Sequence, residues 1–361
     1  MRMNFSEGDI INNKYRIIEL IGGGTMGKVY KAENINMSKP VALKILHGDV
    51  ASNPEYQKRF MREARSAAAL EHSNICTVMD FDTTENGLPY IVMELLIGET
   101  LTERIHAHGS LSPLESVRIM RQLMGALSCA HEGGVVHRDV KPDNIFLIQR
   151  EGRSDFVKLI DFGIAHLENP DGDLKTLTQA GTLYGTPQYI SPEQAEFGTV
   201  DFHADLYAAG IIFFEMLTGK PPFTGKNYIE LLMRHVNEPP PHISEKMCQG
   251  ARIDAIIQRL LKKNPNERYG SALEVLPLLD DVLVHMSAGN SNDSELQSAL
   301  ASSSMNLNVA ALANTAPEEK KGILSSISSA KRVVLLITVI IVVLIITLLT
   351  VIGLKLAGVL S

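Results

Sequence analysis

His137-Arg138-Asp139-Val140-Lys141-Pro142-Asp143-Asn144, followed downstream by Asp161-Phe162-Gly163, decides the reading of this chain. The first run sets a carboxylate, Asp139, close to an ammonium, Lys141, and an amide, Asn144; the second adds the carboxylate of Asp161. Those groups suit phosphoryl transfer, whose transition state is stabilised mostly by positioning and charge neutralisation. Asp139 can accept the proton of an attacking hydroxyl, and Lys141 can offset charge on the group in transit. Asn144 and Asp161 offer the hard oxygen ligands that Mg²⁺ prefers beside nucleotide phosphates. A bare His-Arg-Asp triplet is weak, whereas the whole run with Asp-Phe-Gly behind it is very hard to obtain by accident.

Upstream, Gly22, Gly24 and Gly27 form G-x-G-x-x-G, with Val29 two residues further on. Alone the pattern also suits a dinucleotide fold, but that fold needs the glycines to open a helix. Here β-rich runs flank them, Tyr15 to Ile21 and Val29 to Ala32, so the glycines cap a hairpin whose backbone can lie over phosphates. Val41 to Leu46 alternates as a strand and carries Ala42 and Lys44. Asn53-Pro54-Glu55 then reads as a helix start, with a capping residue, proline in the first turn and early negative charge. The helix is expected to run to about Leu70 and carries Glu63, a partner able to hold Lys44 against the α- and β-phosphates.

With these landmarks in order, the chain resembles a eukaryotic-like (Hanks-type) bacterial Ser/Thr protein kinase of the membrane-anchored kind. The resemblance runs from about Tyr15 to Leu283 and ends its activation segment on Ser191-Pro192-Glu193. It implies an α+β, bilobal fold over 12–285: a β-rich lobe with one main helix (12–93), a hinge (94–97) and a mostly helical lobe (98–285). It also implies an ATP site formed by Ile21, Gly22, Gly24, Gly27 and Val29, with Ala42, Lys44 and Phe146. Met93 stands as gatekeeper, while Glu94 and Leu96 offer the hinge backbone. By the same resemblance Asp205 braces the catalytic loop, and Glu193 pairs with Arg268. Ser112-Pro113-Leu114-Glu115 reads as a capping box opening a helix toward His131 that Gly133 can end. An apolar helix, Leu206 to Thr218, follows Asp205 and closes at Gly219.

Lys141 and Thr186, in Gly185-Thr186-Pro187, point by family analogy to Ser or Thr acceptors. Arg138 beside Asp139 calls for an anion, which a phosphorylated threonine could supply through charge-assisted hydrogen bonds. Thr178, then Thr176 and Thr182, are the candidates. Two departures from the family pattern stand out: Ser191, and Tyr207 where many eukaryotic members carry Trp. Rival readings are a kinase-shaped scaffold and a small-molecule kinase. Lys44, Asp139, Asn144 and Asp161 are all in place, which speaks against the first; the Gly-Thr-Pro and Ser-Pro-Glu segment speaks against the second.

At 361 residues and a formal charge of −7, with no long basic run, the chain does not read as a nucleic-acid binder. Cys76, Cys129 and Cys248 are few and far apart, as expected of reduced thiols in a cytosolic domain. The N-terminus carries no apolar signal segment. Residues 286–332 are Ser-, Ala- and Asn-rich and read as a juxtamembrane linker. Val333 to Leu354 is uncharged and as a helix would span about 33 Å, the thickness of a bilayer core. Lys320, Lys321, Lys331 and Arg332 precede it, so the positive-inside rule keeps the N-terminal part cytoplasmic, with 355–361 beyond the cell (inner) membrane. The expected partners are therefore ATP with Mg²⁺ or Mn²⁺, protein substrates, the membrane through a single pass, and a second copy for trans-autophosphorylation.

Overall fold

A computed structural model of the chain describes residues 5–24, 27–162, 187–196, 198–244 and 251–289. The expected membrane span and residues 290–332 of its linker lie outside these residues, as do Thr176, Thr178, Thr182 and Thr186; residues 286–289, expected as linker, are instead the end of the helix Leu276–Gly289. No described helix is long and apolar enough to cross a membrane.

The first lobe is a six-stranded antiparallel sheet in the order β1-β2-β3-β4-β6-β5. Its strands are β1 (Ile10–Ile11), β2 (Tyr15–Gly23), β3 (Gly27–Asn34), β4 (Lys39–Leu46), β5 (Val78–Thr83) and β6 (Pro89–Glu94). β2 and β3 pair from Tyr15 opposite Asn34 to Gly23 opposite Lys28, so the glycines do cap a hairpin. Gly27 has a steric reason to be glycine, since a Cβ there would stand 2.3 Å from the Ile45 carbonyl oxygen.

After the short α1 (Gly48–Ala51), α2 spans Pro54–Ala68. Asn53 caps it by accepting from the Glu55 amide, and Pro54 occupies the first turn, where no helical N–H is needed. Phe60 and Ala64 on its inner face pack on the sheet core, while Ala67, one turn on, belongs to the core of the second lobe. The helix thus bridges both lobes.

The second lobe begins with a small sheet, β7 (Gly98–Thr100), β8 (Ile145–Arg150) and β9 (Arg153–Leu159), in sequence order. Its helices are α3 (Leu101–His108), α4 (Pro113–Glu132), α5 (Pro192–Ala195), α6 (Phe202–Thr218), α7 (Tyr228–Asn237), α8 (Ala251–Leu260) and α9 (Leu276–Gly289). α4 and α6 form the centre; Met120, Met124 and Leu127 meet Leu206, Ile211 and Phe213 in one buried cluster. Side chains are buried nearly all round α6, as expected of a helix enclosed by its neighbours.

Two expectations need correction. Only half of the capping box at Ser112 forms: its side chain accepts from the Glu115 amide. The Glu115 carboxylate goes instead to Arg104 at 2.6 Å, a charged partner that the backbone N–H cannot match. α6 starts at Phe202 rather than Leu206, because Asp201 serves as its cap by accepting from the His203 amide. Asp205 therefore lies inside the first turn. Gly219 does end this helix, in the left-handed conformation at φ 76°.

His235 on α7 is fully buried beside Tyr207 and Phe223. Burial first, and the neighbouring Lys263 second, push its pKa down to about 3. The folded protein keeps it neutral while the unfolded chain protonates below about pH 6.5, so stability drops as pH falls through that value. The expected loss is about 1.4 kcal/mol per pH unit, or about 2 kcal/mol by pH 5. Denaturant titration at pH 7 and pH 5 should show this component in the wild type and not in His235→Gln.

Candidate active site

The loop between α4 and β8 carries the His137 to Asn144 run, and α6 holds it from below. Asp205 is 1% exposed. One of its oxygens accepts from the Arg138 amide at 2.7 Å, the other from the His137 amide and His131 Nε2, both at 2.8 Å. These bonds hold Arg138 at φ 63°, a conformation that non-glycine residues rarely adopt. His137 Nε2 lies 2.8 Å from the Ile160 carbonyl, and its ring is 4.7 Å from that of Phe162. The Ile160 amide donates to the Asn144 carbonyl at 2.9 Å. The two segments that the sequence singles out are thereby locked together.

Within that frame the polar groups converge. Lys141 Nζ donates to Asp139 Oδ2 at 2.7 Å. Asn144 Nδ2 donates to the Asp139 carbonyl at 2.8 Å and to Oδ2 at 3.0 Å. Both amide protons of Asn144 are thus directed to Asp139, which leaves its amide oxygen as the group suited to a cation. Asp161, held at φ 60°, accepts from Lys44 Nζ at 2.7 Å. Burial alone drives the Asp161 carboxyl up, but the Lys44 ammonium outweighs it and holds the group below its ordinary range. Asp161 is therefore a carboxylate at neutral pH, and together with the Asn144 oxygen it fits a hard divalent cation. The Glu63 side chain lies outside what is described, so its pairing with Lys44 has no geometry here.

The remaining nucleotide candidates line one side of the sheet and the edge of the second lobe. Ile21 lies half-exposed near the end of β2, with Gly22 opposite Val29 in the hairpin. The Gly24 amide donates to the Gly27 carbonyl at 2.9 Å and closes the hairpin end. Ala42 is the register partner of Met93, which brings the β4 and β6 candidates side by side. Leu96 follows in the connection to β7, and Phe146 lies on β8 opposite Thr100. Behind Met93 an apolar cavity opens between α2 and Phe162, with Ala64, Ala67 and Cys76 in its wall.

Sequence reasoning missed three contributors. Lys158, buried on β9, pairs with Glu94 at 2.7 Å and donates to the Ile75 carbonyl. Glu94 also accepts from the Thr77 amide, so the expected hinge residue is fastened to β9. Gln194 on α5 donates to the Arg138 carbonyl at 3.1 Å. It also forms a reciprocal cap with Ser191, which gives the unusual serine a physical reason. His131 supports Asp205 from α4. For Gln194 the signal existed, since Ser-x-x-Gln is a capping pattern; Lys158 and His131 gave none.

Comparison with known proteins places the chain in a family. The protein kinase domain family matches residues 15–278, and the chain belongs to that family, whose members use ATP and a divalent metal. The serine/threonine-protein kinase pkn3 of Myxococcus xanthus is 40% identical over 269 residues, which are 73% of this chain and 49% of that protein. The serine/threonine-protein kinase PknB of Mycobacterium tuberculosis is 38% identical over 269 residues, 73% of this chain and 42% of that protein. The chain thus spans half or less of these relatives. The crystal structure of the Mycobacterium tuberculosis PknI kinase domain matches with a TM-score of 0.60 at 27% identity, over 78% of this chain and all of that one.

Cys76 faces this site without the character of a nucleophile. Burial pushes its thiol up to about 12, and the nearby Glu94 adds to the rise. Thiolate is the reactive form, so native protein treated with iodoacetamide at pH 7.5 should keep Cys76 unmodified. Denaturation should make it fully reactive, as read by peptide mass spectrometry.

Proposed function

We propose that this chain is an ATP-dependent serine/threonine protein kinase. The observation that carries the reading is the convergence of Lys141 and Asn144 on Asp139, with the Lys44–Asp161 pair on the adjoining segment. Bound MgATP, or the Mn²⁺ form, supplies the phosphoryl group and the positive charge that screens it. Asp139 orients the acceptor hydroxyl and takes its proton. Lys141, already in contact with Asp139, neutralises charge on the transferring group. Asn144 and Asp161 hold the metal, and Lys44 holds the nucleotide phosphates. The Met93 to Leu96 segment receives the adenine. By the family resemblance, a role for Thr186 beside the acceptor hydroxyl and a Ser/Thr rather than Tyr acceptor belong to the same proposal.

The regulatory part of the proposal rests on Arg138. Its Nε is buried with no hydrogen-bond partner among the described residues, a costly state for a charged donor. A phosphate on Thr178, Thr176 or Thr182 would complete it and order the segment before Ser191. Purified chain incubated with MgATP and a generic basic protein should phosphorylate both itself and that protein on Ser and Thr. Asp139→Asn should lower transfer by about 10²–10⁴-fold, the usual worth of a positioned proton acceptor. Transfer no greater than the mutant's would leave a kinase-shaped scaffold as the reading.

The segment 333–354 completes the proposal as a membrane anchor that keeps the kinase domain on the cytoplasmic side and concentrates copies for trans-autophosphorylation. Replacing 333–361 by a soluble tag should release the protein from the membrane fraction. It should also slow loop phosphorylation at matched dilute concentration; an unchanged rate removes the membrane from activation.

A further inference from the structure

Tyr207 lies between Arg268 and the end of α7. Its ring lies 4.9 Å from the guanidinium carbon of Arg268. Its hydroxyl lies 3.1 Å from His235 Nδ1. Lys263 Nζ donates to that hydroxyl at 3.3 Å, and to the His235 and Arg234 carbonyls at 2.7 and 3.4 Å. An ammonium only donates, so the tyrosine oxygen accepts from Lys263, and its own proton is left for His235, whose Nδ1 lies at 3.1 Å and whose carbonyl lies at 3.5 Å. The polar contacts run from Lys263 through Tyr207 to His235.

The two carbonyls belong to the last turn of α7, where helix carbonyls lack helical partners and a cation is favoured. Lys263 also lies 4.1 Å from the centre of the Phe223 ring. Burial lowers its pKa to about 8, Arg268 adds to the fall, and Glu238 opposes it. An apolar side chain would fill this space at less cost in desolvation, so the gain from the lysine is directional.

That direction leads to the acceptor side of the site. α7 packs against the turn Pro187–Tyr189 and against α5, which follow the Gly-Thr-Pro segment. α5 carries Glu193, fixed by Arg268 through two bonds of 2.8 and 2.7 Å. Gln194 of the same helix holds the Arg138 carbonyl. We propose that Tyr207, His235 and Lys263 are positioning residues for the protein acceptor, holding α7 and the Pro187–Tyr189 turn in register with the Glu193–Arg268 pair. The role rests on the kinase reading above, and none of the three lies among the nucleotide or metal groups.

The test uses the full chain in detergent, as Tyr207→Phe, Lys263→Met and Lys263→Arg. Tyr207→Phe keeps the ring and removes only the hydroxyl. It and Lys263→Met should raise KM for the basic-protein acceptor by about fivefold or more, with KM for ATP within about twofold, the mark of a lost acceptor-side interaction. Lys263→Arg, which keeps a charged donor, should recover most of that loss. An equal rise in both constants, a fall in kcat alone, or no change overturns the proposal. Wild-type activity above Asp139→Asn in the same assay separates this outcome from failure of the kinase reading. Hydrogen exchange decides without activity: Lys263→Met should speed exchange in 187–196 and 228–238 and leave 41–46 unchanged. Uniform acceleration, or none, also overturns it.

Discussion

The carboxylate of Asp205 is the constraint on which the rest of the site depends. It is buried in the first turn of α6 and accepts two consecutive backbone N–H groups and one imidazole. The amides of His137 and Arg138 converge on this one carboxylate at a turn where Arg138 takes positive φ. That turn aims the Asp139 side chain and the groups after it toward the cleft. Orphaning either amide would cost about 1–3 kcal/mol, a large fraction of the stability of a typical domain. The left-handed conformation of Arg138 persists because neighbouring bonds over-determine it.

A second constraint ties the end of the activation segment to the same frame. Arg268 directs all five of its N–H donors inward, to Glu193 and to the carbonyls of Lys262, Lys263 and His203. Removing one partner of such a pair leaves an uncompensated buried charge, at about 3–5 kcal/mol. Its net worth against an apolar core is small, so its value lies in where it puts α5. Ser191 and Gln194 then carry that placement back to the Arg138 carbonyl.

The parts of this arrangement that were legible in the sequence are those written in contiguous residues. The His137 to Asn144 run, the glycine hairpin, the strand with Lys44 and the cap at Asn53 each need only neighbours to be recognised. What escaped depends on approach in space. Glu115 looked like half of a capping box because its competitor Arg104 is eleven residues away on another helix. The start of α6 was misread because the apolar run begins at Leu206, while its first turn is polar and is organised by Asp201. Lys158 was invisible, since a lysine on a strand is ordinarily solvated and only the fold brings it to Glu94.

Satisfaction of charge divides these buried groups into two kinds. Asp205 and Arg268 have their hydrogen-bonding capacity met by the protein, so they set geometry and offer nothing to a ligand. Asp139 and Lys141 remain about a quarter exposed while touching each other. Asn144 commits its donors to Asp139 and keeps its oxygen, and the Arg138 Nε has no hydrogen-bond partner among the described residues. The second set is held rigidly by the first, which is how an incompletely paired group can stay in a folded interior. What distinguishes a residue of the candidate site from a structural one is therefore the capacity it retains, not its depth: a donor at Arg138, and oxygens at Asn144 and Asp161 suited to a cation.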